Sequence, residues 1–292
     1  MSWAPANKSE LSVAIGDWMT NSSGTPHVTY GEINTWDVSG ITDMSRLFYN
    51  NKFFDDDIGN WDVSNVLTMK SMFYGAEKFD QDISAWNTSS VKSMQQMFSK
   101  AYVFNKPINT QEVTINGSTY TAWDVSNVGN ENGGHAFKLM FWSARAFNQD
   151  IGDWNVANAG HGDTRDPPAG ENAKRSSGMY EMFKEAWAFN QDIRKWTISG
   201  FHSYALGGMF TETGRMTMGV FDNDGFMKDM SGYEGWQPTP STSTTEWRTP
   251  EESFFNQSSG SQSGNICFLG STKVQTDQGN IRFDQITTRN TI

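Results

Sequence analysis

The chain has 292 residues, 36% of them apolar, and its apolar set includes 20 Phe, 15 Met and 12 Trp, more Met and Trp than an average core uses. A formal net charge of −11 without any basic stripe argues against a nucleic-acid partner, which would require clustered Lys and Arg, and reads as a solubility device. One cysteine, Cys267, excludes an internal disulfide framework and a Cys/His zinc cluster, and no run approaches the ~18 apolar residues of a membrane span, so no membrane insertion is expected.

The first residues, Met1 to Lys8, lack the basic start and apolar run of a secretory signal, so no export signal is visible. Leu11, Ala14, Ile15 and Trp18 then fall at helical spacing, and Tyr30 to Thr35 leads into the first of a series of tryptophans. From there the sequence repeats itself. Trp36, Trp61 and Trp86 are 25 residues apart, as are Phe48, Phe73 and Phe98. The segments between read W-D-V-S-G-I-T-D-M-S-R-L-F, W-D-V-S-N-V-L-T-M-K-S-M-F and W-N-T-S-S-V-K-S-M-Q-Q-M-F. With insertions the pattern returns at Trp123 to Phe141, Trp154 to Phe183 and Trp196 to Phe210, giving six copies. Most copies close on a second signature, such as F-D-Q-D-I-S-A or F-N-Q-D-I-G-D.

Apolar residues three and four apart before each Phe predict a short helical turn with one buried face. The F-x-x-D-I-x-x-W run predicts a short strand, with Phe79 and Ile83 directed inward and Asp82 and Ser84 outward. One such copy buries too little apolar surface to order itself, so copies must stack, sharing columns of Trp, Val, Met, Phe and Ile and pairing strands. The expected fold is a repeat solenoid, leucine-rich-repeat-like: short parallel β-strands with short helical turns, a period of about 25 residues, and six copies.

These motifs resemble the BspA-like leucine-rich repeat surface proteins, whose hallmark W-D-x-S-N-V-T-x-M-x-x-M-F is nearly reproduced from Trp61 to Phe73. The likeness spans residues 36–210 and implies surface display, adhesion or a structural role, with no catalysis, no cofactor and no named ligand. It also makes residues 1–35 an N-terminal helical cap over the open end of the stack.

Outward positions form ladders in such a stack. Asp57, Asp82, Asp150 and Asp192 make one, interrupted by Pro107. Two readings stand: a column that coordinates calcium or meets a partner, or carboxylates that each accept backbone N–H bonds in the adjoining turn. One carboxylate per ~5 Å rung supplies too few oxygens for a six- to eight-coordinate ion, so no metal is expected. Asp37, Asp62 and Asp124, each after a Trp, read as caps.

Copies four, five and six lengthen the segment before the predicted helical turn. The longest insertion carries His161, Asp163 and Arg165 and reads either as a partner-binding loop or as an idle insertion. Between Ile108 and Trp123, V-T-I-N-G-S-T-Y predicts a hairpin with an Asn-Gly turn. The four histidines, His27, His135, His161 and His202, show no triad or metal spacing.

After Phe210 the period fails. Residues 211–256 read as an irregular C-terminal cap and 257–266 as a flexible linker. The block C-F-L-G-S-T-K-V-Q-T-D-Q-G-N-I-R-F-D-Q-I resembles the start of a hedgehog/intein (Hint) domain, so residues 267–292 read as a Hint-like N-terminal fragment. That resemblance makes Cys267 the nucleophile and Ile266-Cys267 the scissile bond. The chain has no His after His202, whereas Hint chemistry needs one, so an ordinary strand-rich tail with one free thiol stands beside it.

The functional expectation is a non-enzymatic surface or structural protein that presents a solenoid for adhesion or assembly. It would act on an extracellular surface or within a virion or appendage, as part of a larger assembly. Its partner is expected to be a protein or glycan on a host or neighbouring subunit. The alternative is the display half of a Hint-autoprocessed precursor. Intact-mass measurement separates the two: a product ending at Ile266 marks processing, and a species running through Ile292 speaks against it.

Overall fold

The computed structural model describes residues 2–20, 27–115, 117–129, 135–159, 178–189, 191, 193 and 195–197, and the backbone of 273–276 and 279–282. Regular elements among them are few. They are the helix α1 (Lys8–Thr20), a 3-10 turn (Ile33–Thr35), and two antiparallel hairpins: β1 (Gln111–Ile115) with β2 (Ser118–Ala122), and β3 (Lys273–Thr276) with β4 (Gly279–Arg282). The sixth copy beyond Thr197, the segments 211–256 and 257–266, and all of 267–292 except the backbone of β3 and β4 lie outside the described residues.

Backbone bonds join one copy to the next in the T-x-M-x-x-M-F segment. Met44, Arg46, Phe48 and Asn50 donate their N–H groups to the carbonyls of Thr68, Lys70, Met72 and Tyr74 at 3.0, 2.9, 2.9 and 2.7 Å. Met69, Ser71, Phe73 and Gly75 repeat this onto the third copy, and the pattern continues through Phe137, Leu139, Phe141 and Ser143 onto the fifth. The bridges Asp43↔Thr68 and Thr68↔Ser93 are parallel. The residues in between, such as Leu47, Tyr49 and Asn51, donate instead to carbonyls three positions back. Backbone donors therefore alternate between closing a turn and reaching the neighbouring copy.

That alternation needs left-handed residues at the third position of two of the turns, as in type II geometry. They are Arg46 and Asn50 (φ 62° and 58°), Ser71 and Gly75 (55° and 69°), Gln96 and Lys100 (56° and 58°), Leu139 and Ser143 (both 56°), and Glu181 and Glu185 (51° and 58°). A left-handed non-glycine residue costs roughly 1–2 kcal/mol, and in the first four copies each occurrence turns an N–H toward a carbonyl of the next copy. At Gly75 a side chain is also excluded by space, because a Cβ would lie 2.5 Å from Asn50 Oδ1.

Two sequence assignments are corrected here. The M-x-x-M-F segment is a succession of turns carrying the parallel bonds, where a helical turn was expected. F-x-x-D-I-x-x-W is not a strand, although Phe79 and Ile83 are buried and Asp82 is exposed as anticipated. The reason is side-chain capture of the amides. Asp80 N–H donates to Asp55 Oδ1 at 2.8 Å, Asn105 N–H to Asp80 Oδ1 at 2.9 Å, and Asn148 N–H to Asn105 Oδ1 at 2.9 Å. A carboxylate or amide of the preceding copy thus takes the place of a strand carbonyl.

The core is a set of aligned rings. Phe48, Phe73, Phe98, Phe141 and Phe183 stack with centroids 5.4, 5.6, 5.7 and 5.5 Å apart. Phe54, Phe79, Phe104, Phe147 and Phe189 form a second column at 5.7, 5.7, 6.2 and 5.9 Å. Within each copy the two Phe rings lie about 4 Å apart, and all ten are fully buried.

The tryptophans add a polar thread. Indole N–H groups of Trp61, Trp86, Trp123, Trp154 and Trp196 donate to the carbonyls of Ile33, Ile58, Ile83, Ile108 and Ile151 in the preceding segment, at 2.7 to 3.3 Å. Trp36, the first of the series, has a buried Nε1 with no acceptor among the described residues. Its ring is instead met edge-on by Trp3, Trp18 and Tyr30 at 4.8, 6.0 and 5.8 Å. Helix α1 brings Trp18 there by burying Leu11, Ala14 and Ile15, and its start is held by Asn7 Oδ1, which accepts from Glu10 N–H.

The predicted hairpin is β1–β2, with Val113 opposite Tyr120 and Ile115 opposite Ser118. Gly117 in its two-residue connection has φ +80°, as the tight turn requires. Tyr120 Oη ties it to the stack by donating to Ala85 O at 2.6 Å.

The tryptophan thread gives a differential expectation. Trp61→Phe removes a donor and leaves the carbonyl of Ile33 with only its bond from Trp36 N–H at 3.3 Å, whereas Trp36→Phe removes a donor that had no acceptor. Urea unfolding should therefore find Trp61→Phe the more destabilising by about 0.5–1.5 kcal/mol. Equal losses would refute the inequality of the two sites.

Candidate functional site

The Asp ladder is the first place to look. Asp57 Oδ1 accepts from Gly59 N–H at 2.8 Å, Asp82 Oδ1 from Ser84 N–H at 2.9 Å, and Asp150 Oδ1 from Gly152 N–H at 2.8 Å. Each carboxylate therefore holds the turn two residues on. Asp57 Oδ2 also accepts from Asn34 Nδ2 at 2.6 Å. Asp192 lies outside the described residues, as do His161, Asp163, Arg165 and Cys267. Asp37, Asp62 and Asp124 make the same kind of turn with Ser39, Ser64 and Ser126. The hydroxyl and N–H of Ser39 hold the Asp37 carboxyl below the usual carboxylate range. Among the described residues no three His, Cys, Asp or Glu converge as a metal site.

A different side of each copy carries the more distinctive chemistry, and the column reading of the sequence passed over it. The position after the first Phe is Tyr49, Tyr74 or Trp142, and four after that Phe stand Tyr102, Arg145 and Trp187 in copies three to five. Cations fit between these rings. Lys100 Nζ lies 5.6 Å from the Tyr74 ring in the copy before and 4.5 Å from Trp142 in the copy after. Arg145 lies 4.5 Å from Tyr102 and 4.3 Å from Trp187, again one copy to either side. Arg46 sits 4.2 Å over Tyr49, which stacks on Tyr74 at 4.8 Å. Such contacts contribute ~0.5–1 kcal/mol each at exposed sites and fix the direction of the charged groups. The signal was present in sequence as aromatics at fixed offsets from Phe, but no single position is aromatic throughout.

Charge is partitioned around the molecule. The five segments beginning at Met44, Met69, Met94, Phe137 and Met179 and ending at Phe53, Lys78, Val103, Ala146 and Ala188 carry eight Lys and Arg against three Glu. The remaining fully described residues are predominantly acidic. Elsewhere several lysines are ion-paired: Lys8 with Asp43 at 3.0 Å, Lys106 with Asp80 at 3.0 Å, Lys195 with Asp153 at 2.7 Å. Arg46, Lys100 and Arg145 rest on rings, with no carboxylate in salt-bridge reach among the described residues.

Glu185 anchors the far end of this side. Its carboxylate accepts from Trp142 Nε1 at 3.1 Å and from Ser143 Oγ. Burial opposes its charge, yet these donors and nearby Lys184 and Arg145 hold its carboxyl below the usual glutamate range.

A family profile described as "Mycoplasma protein of unknown function, DUF285" matches residues 17–121, 112–164 and 171–231. The chain belongs to this family. The matches begin within the last turn of α1, cover the described copies and β1–β2, and end before Cys267. No curated protein and no solved structure matches the chain. No helix among the described residues is long and apolar enough to cross a membrane.

The Glu185 contacts set a pH dependence. A carboxyl depressed on folding contributes stability that is complete above its unfolded pKa, near 4.3, and is lost as pH falls through the folded value. Wild-type stability should therefore fall on acidification below about pH 5, and Glu185→Gln should flatten part of that limb in pH-resolved thermal melts. An unchanged acid limb would show that the contacts do not couple to folding.

Proposed function

We propose that this chain is a leucine-rich-repeat-type solenoid of the BspA-like kind, without catalytic activity. It presents its cation–aromatic side to a macromolecular partner at an extracellular surface or within a virion or appendage assembly. The observation that carries this reading is the Tyr102–Arg145–Trp187 stack. Trp187 is 49% exposed although its neighbours in the Phe and Trp columns are buried, and the Arg145 guanidinium is pre-oriented between two rings. Trp, Tyr and Arg dominate the energetics of protein interfaces, Trp and Tyr because they cover large areas and lose little freedom on binding. The in-register parallel bonding of successive copies supports the solenoid reading, since it lets such a platform extend from rung to rung.

The partner is a protein or glycan on a host or a neighbouring subunit. A second reading, a display half released by Hint-type cleavage at Ile266-Cys267, keeps the same presenting surface. The β3–β4 hairpin, which begins six residues after Cys267, fits the ordinary strand-rich tail equally well.

A photo-crosslinking residue at position 187, introduced into the full chain in its native setting, tests the proposal. A discrete adduct with a macromolecule, absent when the crosslinker stands at Thr42 on another side, is expected. Recovery of the uncoupled chain alone from both positions would refute presentation by this side.

A further inference from the structure

We infer that the partner of the cation–aromatic side is an acidic glycan of the alternating kind, one acidic sugar to one neutral, laid along the row Phe53, Lys78, Val103, Arg145 and Trp187. This deepens the presentation reading above, narrowing its partner from protein or glycan, and rests on it.

The row lies where each copy turns from M-x-x-M-F into its second Phe. Phe53, Lys78 and Val103 stand one residue before Phe54, Phe79 and Phe104, whereas Tyr102, Arg145 and Trp187 stand two residues before Phe104, Phe147 and Phe189. The third copy contributes to both offsets and joins them. Contacts show the alignment: the Arg145 guanidinium lies 4.5 Å from the Tyr102 ring and 4.3 Å from the Trp187 ring. Lys78, Ala146 and Ala188 also donate their N–H groups to the carbonyls of Lys52, Tyr102 and Arg145 in the copy before, each at 3.1 Å.

All five side chains of the row are exposed, Phe53 at 81%, Trp187 at 49% and Val103 at 38%. Isolated exposed apolar residues are ordinary, but these three fall on the first, third and fifth copies, with a cation on the second and the fourth. Lys78 has no carboxylate in ion-pair reach among the described residues. Arg145 helps to hold Glu185 charged and makes no ion pair with it.

Spacing and charge together choose the occupant. One rung rises 5.4 to 5.7 Å along the first Phe column, close to the advance of one pyranose in an extended β-linked chain. Successive sugars therefore meet an apolar tip and a cation in turn. A nucleic-acid duplex carries a charge about every 1.7 Å, which would press phosphates against Phe53 and Val103. A broad anionic lipid surface would meet Asp55, exposed two residues beyond Phe53, and be repelled by it. A glycan brings hydroxyl donors as well as anions, and Asp55 suits one: its Oδ1 accepts from Asp80 N–H at 2.8 Å, while Oδ2 has no donor among the described residues. A peptide strand finds no free edge beside the row, because the ladder amides are spent between copies.

Titration calorimetry of the full chain with a hyaluronan oligomer long enough to span five copies tests this. Binding is expected in about 50 mM salt and should weaken about tenfold near 500 mM. Lys78→Ser/Arg145→Ser should weaken it about tenfold, and Phe53→Ser about threefold. Lys195→Ser, which removes a cation from the acidic side, should leave it unchanged. An unchanged near-ultraviolet circular dichroism spectrum would show that the variants are folded, and Phe53 is exposed enough for its replacement to spare the core. An uncharged β-glucan of the same length should bind about tenfold more weakly or not at all.

Wild type that fails to bind hyaluronan, or row variants that bind as wild type does, would overturn the proposal. So would duplex DNA or phosphatidylglycerol vesicles bound as tightly as hyaluronan. Failure of hyaluronan alongside a discrete adduct at position 187 would remove the glycan assignment and leave the presentation reading standing, whereas loss of both would remove the two together.

Discussion

Everything in this molecule depends on backbone amides that alternate between closing a turn and reaching the next copy. A helix would spend all its donors within one segment, and an ordinary parallel strand would spend none on turns. Here Met44, Arg46, Phe48 and Asn50 reach outward while Leu47, Tyr49 and Asn51 fold back, so each copy is locally shaped and cross-linked to its neighbour by the same short stretch. Left-handed residues at Arg46, Ser71, Gln96, Leu139 and Glu181 are the local cost of that arrangement. They persist because the buried Phe columns on one side and the inter-copy bonds on the other over-determine the backbone.

Polar side chains then extend the cross-linking around the coil without regular secondary structure. Asp55, Asp80 and Asn105 each accept an amide from the copy that follows, and the indoles of Trp61 to Trp196 each reach a carbonyl of the segment before. Asn65, Asn127 and Asn158 donate to serine carbonyls in the preceding copy. A sequence poor in aliphatic residues can therefore hold a stack together: rings supply the burial, and Asp, Asn and Trp supply satisfied hydrogen bonds at its periphery.

This division leaves different sides with different duties. The F-D-x-D-I side uses its acids to hold turns and exposes what remains of them to solvent. The M-x-x-M-F side uses backbone for cohesion, which frees its outward residues to vary, and there Tyr, Trp, Lys and Arg have collected. Variation at a position that cohesion does not constrain is where a binding surface has room to form.

The sequence by itself determined the period, the ring columns and the identity of the buried positions, because Trp, Met and Phe recur at spacings that only shared burial explains. It also determined the β1–β2 hairpin, through Asn-Gly between β-prone segments, and the start at α1, through apolar spacing. It misplaced the inter-copy ladder. Apolar residues three and four apart are equally compatible with a helical turn and with linked turns that reach a neighbour, and only the presence of that neighbour decides between them. The fate of Asp57, Asp82 and Asp150 was likewise open until the distance to each turn amide was known. The aromatics at fixed offsets from Phe were legible, but their contacts with cations were not, for the same physical reason: Tyr102, Arg145 and Trp187 are 43 and 42 residues apart in sequence, and nothing short of stacking the copies puts a guanidinium between two rings.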